Sequence, residues 1–150
     1  MPEIASDCKH IAIVMHPNLA GGCEEAELIT SFLKERGVTE VVASSINEEN
    51  LRQRVKKGDF NLLVSLGGDG TVLRAAHLAA PVGIPVLGIN LGRSGFLMEV
   101  GRLDWKDYLA RLFNGKYRLE ERMLLTAAHL RGSQKLGEWD VVNEVVVCRG

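Results

Sequence analysis

The run Leu62-Leu63-Val64-Ser65-Leu66-Gly67-Gly68-Asp69-Gly70-Thr71 constrains this chain more than any other stretch, because an apolar segment passes directly into three glycines wrapped around one carboxylate. A continuous apolar run bounded by turn residues reads as a strand covered on both faces. The segment that follows, Thr71 to Ala79, is apolar and alanine-rich, and reads as a helix. Strand, glycine turn and helix in this order form the unit of a parallel α/β sheet, and such sheets bind ligands at the carboxyl ends of their strands. Glycines at 67, 68 and 70 let the backbone take positive φ and let its amides approach an anion closely, as a β-carbon would not. The first-turn N–H groups of the helix point back at the same place. Asp69 cannot simply bind phosphate there, since like charges repel. It must hold a metal, orient a hydroxyl or cap the helix. The plainer reading is a tight turn in which Asp69 only satisfies the amides two or three residues on.

The rest of the chain repeats the alternation. Ile11 to Met15 is an apolar first strand, broken by His16-Pro17-Asn18, and Gly21-Gly22 leads to a helix near Glu24 to Arg36 that Gly37 ends. Val41 to Ala43 is a second strand; Ser45 with Glu48 forms a capping box for a helix to about Lys57, stopped by Gly58. After the third strand and its helix, Val86 to Ile89 is a fourth strand, and Asp104 caps a helix through about Asn114 that Gly115 closes. These spacings predict a doubly wound, mostly parallel α/β domain over residues 1–116. From Tyr117 helical periodicity disappears. Strand-like stretches at Leu124 to Leu130 and Val141 to Cys148 flank a turn at Arg131-Gly132-Ser133, so residues 117–150 read as the start of a β-rich domain.

At 150 residues the chain can bury one good core and part of another. A formal net charge of −1 implies no broad basic surface, which argues against a nucleic-acid partner. No apolar run reaches the roughly 18 residues of a membrane span, and the start Met1 to Asp7 lacks a basic region followed by an apolar one. The expectation is a cytoplasmic protein that contacts no membrane. Cys8, Cys23 and Cys148 are odd in number and far apart, hence expected as free thiols.

Three further groups carry chemistry. Asn143-Glu144 sits between Val141-Val142 and Val145-Val146-Val147, a setting that suggests a half-buried strand in which an unpartnered carboxylate is costly. Glu144 could accept two ribose hydroxyls, and Asn143 could meet the edge of a purine; a bulge or strand end in solvent is the alternative. Arg74 lies one turn beyond Gly70, from which its guanidinium could reach pyrophosphate, or it is a solvated surface arginine. His77, three residues further on, is left out of the site. Asn90 to Phe96 follows the fourth strand and so sits beside the glycine loop, where Phe96 either packs on a ring or belongs to the core.

Neither commoner nucleotide signature fits: Leu73 stands where a dinucleotide motif needs its third glycine, and no Gly-Lys-Ser/Thr follows. The chain instead resembles the NAD kinases, through Gly67 to Thr71, Gly88-Ile89-Asn90-Leu91-Gly92-Arg93-Ser94-Gly95-Phe96-Leu97, Arg122-Met123-Leu124-Leu125 and Asn143-Glu144-Val145-Val146-Val147. The first motif alone is shared with diacylglycerol and sphingosine kinases; the later ones, in this order, select the NAD kinases. The resemblance implies phosphoryl transfer from ATP or polyphosphate to the 2′-hydroxyl of the adenosine ribose of NAD, giving NADP. In that scheme Asp69 is the base, Gly67, Gly68, Gly70 and Thr71 hold donor phosphates, and a divalent cation such as Mg2+ bridges them. Asp69, Gly70, Arg74, Phe96, Asn143 and Glu144 seat NAD. It also implies a β-rich NAD-binding domain continuing past Gly150 with a Gly-Ser-Thr-Ala-Tyr segment, which this chain lacks; it is either truncated or departs from the family. The 150-residue chain is therefore expected to be inactive alone, and the longer protein to be a homo-oligomer. The rival readings are a lipid kinase sharing the glycine loop and a non-catalytic nucleotide-binding module with no need of Asp69.

Overall fold

The computed structural model describes residues 8–92, 95, 97–98 and 100–148. The chain divides into two compact units, Met1–Arg118 and Leu119–Gly150.

The first unit is a five-stranded sheet built from β1 (His10–Met15), β2 (Glu40–Ser45), β3 (Leu62–Gly67), β4 (Val86–Asn90) and β5 (Val100–Gly101). Their order is β2-β1-β3-β4-β5, and every pair is parallel. The connections contain α1 (Gly22–Glu35), α2 (Glu49–Lys56) and α3 (Asp69–Ala79), and α4 (Trp105–Phe113) follows β5. β3 lies at the centre and is buried at every position, which is why it reads as an unbroken apolar run. Its side chains alternate between faces. Ala12, Val14 and Leu63 pack with Leu51 and Val55 of α2 and with Ala75, Leu78 and Ala79 of α3. On α1 and α4, Ile29, Leu33, Trp105 and Leu109 are buried, and Phe32 meets Trp105 edge to face at 5.3 Å.

Three local expectations are corrected. α2 is capped by Glu48 itself, whose carboxylate accepts from the amides of Asn50 and Leu51 at 3.2 and 2.8 Å. Ser45 stays in β2, where its hydroxyl accepts from the Asn47 amide and its carbonyl from the Glu48 amide. α3 starts at Asp69 rather than Thr71, because Gly68, in extended conformation, takes the cap position. β5 escaped detection because two residues are too few to show a period. Asp104 does precede α4, but its side chain makes no capping bond.

At the β2 edge, Arg54 donates to both carboxylate oxygens of Glu40 at 2.9 Å, and His10 Nδ1 lies 3.2 Å from Glu40 Oε2. The Arg54 hydrogen bonds first, then His10, lower the Glu40 pKa from 4.5 to about 2. A depressed folded value means stability that is present above the unfolded value and lost as pH falls through the folded one. Acid unfolding should therefore steepen between about 4.5 and about 2. Glu40→Gln should flatten melting temperature against pH in that window, by a small amount because the group is exposed; parallel profiles for the two proteins would show that the pair contributes nothing.

The second unit is an antiparallel hairpin of β6 (Leu125–Arg131) and β7 (Gln134–Val141). Gly132 starts its two-residue loop with φ of 60°, the positive value such tight hairpins require. The strand expected at Val141 to Cys148 is not formed beyond Val141. Leu125↔Val141 is the last pair of the ladder, and Val145, Val146 and Val147 are exposed. An apolar run becomes a strand only where a partner supplies backbone hydrogen bonds, and this one has none among the described residues.

Candidate functional site

In a sheet ordered 2-1-3-4-5, the chain leaves β1 and β3 in opposite directions, and a crevice opens between their carboxyl ends. A pocket of about 430 Å³ occurs there, lined by His16, Asn18 and Leu19 after β1 and by Gly67, Gly68, Gly70, Thr71 and Arg74 after β3. The β1 loop was missed as part of the site. No chemical motif marks it, and only the sheet order brings it opposite the glycines.

The glycines serve different ends. Gly67 has φ of 151°, and a β-carbon there would lie 2.5 Å from Thr71 Oγ1, so turn closure itself demands glycine. Leu91 N donates to Gly67 O at 3.2 Å, tying the segment after β4 to the turn. Gly68 and Gly70 differ: a β-carbon on either would meet nothing within 4 Å. Among the described residues nothing requires glycine at these positions, and a helical glycine such as Gly70 costs about 1 kcal/mol relative to alanine. Thr71 is buried, and its amide donates back to Gly68 O at 2.9 Å, so that amide serves the turn.

Asp69 occupies the first position of α3 and does not line the pocket. Its Oδ1 accepts from Leu97 N at 2.9 Å, and the α-carbon of Gly95 comes so close that an added β-carbon would lie 2.5 Å from the same oxygen. The carboxylate thus clamps the segment following β4 against the glycine turn, where it can hold a cation or accept a proton. Among the described residues no three His, Cys, Asp or Glu side chains gather as a cation cage. A cation here would need phosphate oxygens beside Asp69, the usual arrangement for Mg2+ in phosphoryl transfer.

Arg74 lines the pocket one turn along α3, and its guanidinium donates to the side-chain oxygen of Asn47 in the β2–α2 connection. Asn47 is a tether that sequence spacing could not reveal. His77 is exposed and outside this pocket. Asn143 and Glu144 belong to the second unit and lie just past β7, both exposed, not in the half-buried strand expected for them. Phe96 falls outside the described residues. No helix among the described residues is long and apolar enough to cross a membrane.

Comparison with known proteins places this architecture. Residues 11–117 match the ATP-NAD kinase N-terminal domain. The chain is 40% identical over 149 residues to an NAD kinase of Heliobacterium modesticaldum, covering 93% of this chain and 51% of that protein. It is 36% identical over 150 residues to an NAD kinase of Treponema denticola, covering 93% and 48%. It thus spans about half the length of these relatives. A crystal structure of yeast NADH kinase complexed with NADH superposes with a TM-score of 0.64 at 18% identity, over 91% of this chain and 47% of that one, and shares the fold. Glycine turn, switch-point crevice and the match across most of the α/β unit agree, and the chain belongs to the NAD kinase family.

Proposed function

We propose that this chain supplies the phosphate-handling half of an enzyme that transfers the terminal phosphoryl group of ATP or polyphosphate to the 2′-hydroxyl of the adenosine ribose of NAD. The observation that carries this is the open space over Gly68 and Gly70, at the switch-point crevice and next to a clamped carboxylate. Glycine for which no described neighbour gives a reason is accounted for by a ligand that approaches the backbone there. The first-turn amides of α3 and the guanidinium of Arg74 would offset its negative charge. Asp69 would take the proton of the ribose hydroxyl as that oxygen bonds to phosphorus and the bond to the leaving phosphate oxygen breaks. A divalent cation held by the donor phosphates would neutralise charge developing on them. Asn143 and Glu144 would meet the adenosine half of NAD, Glu144 accepting from ribose hydroxyls; their exposure leaves both groups available to a ligand. The full-length protein is read as a cytoplasmic homo-oligomer, which light scattering would test.

The test offers the full-length protein ATP or polyphosphate with NAD or with diacylglycerol. NADP is the expected product; phosphorylation of diacylglycerol alone would overturn the reading. Gly68→Ala should lower the melting temperature only slightly, as alanine caps α3 less well than glycine, and weaken donor binding about tenfold, since the β-carbon meets no described atom and enters the phosphate's space. Unaltered donor affinity in that variant would remove the cradle.

A further inference from the structure

A second groove, of about 390 Å³, runs between α2 and α3 and shares Arg74 with the glycine pocket; its other walls are Arg52, Leu73, His77 and Leu78. Among the described residues no carboxylate lines it. Elsewhere in this unit, arginines near carboxylates are tightly paired: Arg54 with Glu40 and Asp59 at 2.9 and 3.2 Å, and Arg102 with Glu25 at 2.7 Å. The two that line this groove are not. Arg74 holds only the neutral amide oxygen of Asn47 among the described residues. Arg52 reaches Ile46 O at 3.4 Å and the exposed Glu49 at 4.0 Å, both long contacts. Along α3 the distance from Gly70 to His77 is about 10 Å at 1.5 Å per residue, too far for one phosphate group to bridge. Positive charge and hydrogen-bond donors thus continue from the glycine turn past Arg74, along the groove to Arg52 and His77.

We propose that this groove is an anion subsite for the far end of a condensed phosphate chain whose near end lies at the glycine turn, with Arg52 and His77 as its recognition residues. It rests on the reading of that turn as a phosphate cradle. The shared chemistry is a run of phosphoanhydride-linked phosphates, carried either by a nucleoside triphosphate or by inorganic polyphosphate. Guanidinium groups suit such a chain because their fork of donors matches phosphate oxygens.

The test is calorimetric titration of the full-length protein with inorganic tripolyphosphate and with orthophosphate. Arg52→Gln should weaken tripolyphosphate about tenfold, equivalent to about 1.4 kcal/mol, and leave orthophosphate unchanged. His77→Ala removes an exposed side chain and should weaken the same ligand in the same direction. Glu49→Gln, which frees Arg52 of its competitor, should tighten it. Unchanged tripolyphosphate affinity in both Arg52→Gln and His77→Ala would overturn the subsite while leaving the cradle intact; loss of both probes in Gly68→Ala alone identifies the cradle separately. If neither probe binds the unmodified protein, cradle and subsite fall together. A raised KM for ATP in Arg52→Gln would assign the groove to the nucleotide's triphosphate, and an effect confined to polyphosphate would assign it to the inorganic chain.

Discussion

Asp69→Asn should lower turnover of the full-length enzyme by at least about 100-fold, the low end of what general-base assistance supplies, with NAD affinity little changed. The substitution is informative because of what it keeps. Asparagine retains an oxygen able to accept from Leu97 N, so the clamp on the segment after β4 survives. It retains the size of a side chain packed against Gly95. It removes the negative charge and the proton acceptor. The capping alternative is already weakened, because Gly68 is the cap residue of α3 and Asp69 lies inside the first turn. There its charge favours the helix N-terminus by about 0.3–1 kcal/mol, so only a small drop in melting temperature is expected. Turnover and melting temperature should therefore separate. Near-normal NADP formation by the Asn variant would remove Asp69 from the chemistry and leave it as a clamp.

The fold was legible wherever burial and local turn chemistry agree. β3 is buried on both faces and reads as an unbroken apolar run; Gly37, Gly58 and Gly115, each at positive φ, end helices where expected. The glycine turn was legible for the same reason, since its close approaches lie within a few residues. What escaped depends on elements far apart in sequence. His16, Asn18 and Leu19 enter the site because β1 and β3 are neighbours. Asn47 reaches Arg74 across 27 positions, and Leu97 reaches Asp69 across 28. Val145 to Val147 misled in the opposite sense: the residues carry strand propensity, but pairing is a property of two segments, and among the described residues no second one is present.

Gly95 shows how a long-range contact becomes a prediction about rate. A β-carbon added there would lie 2.5 Å from Asp69 Oδ1 and 3.1 Å from Asp69 Cγ, well inside van der Waals contact. Either the carboxylate swings or the segment after β4 retreats, and both break the Leu97–Asp69 hydrogen bond. Misplacing a reacting group by about 1 Å costs on the order of 100-fold in rate. Gly95→Ala is thus expected to cut kcat about 100-fold while KM for the phosphoryl donor changes little, because Gly68 and Gly70 face open space away from the clash. Stability should fall only slightly, since the buried residues packed between the sheet and its helices are untouched. Gly92→Ala is the matched control. Among the described residues its nearest neighbour would be Asn90 Oδ1 at 3.7 Å, an ordinary contact, and its kinetics should follow the parent enzyme. A normal kcat in Gly95→Ala would mean that the segment yields without moving the carboxylate, and that the clamp does not position the base. An equal loss in both glycine variants would point to general stiffening of the segment rather than to the Asp69 contact.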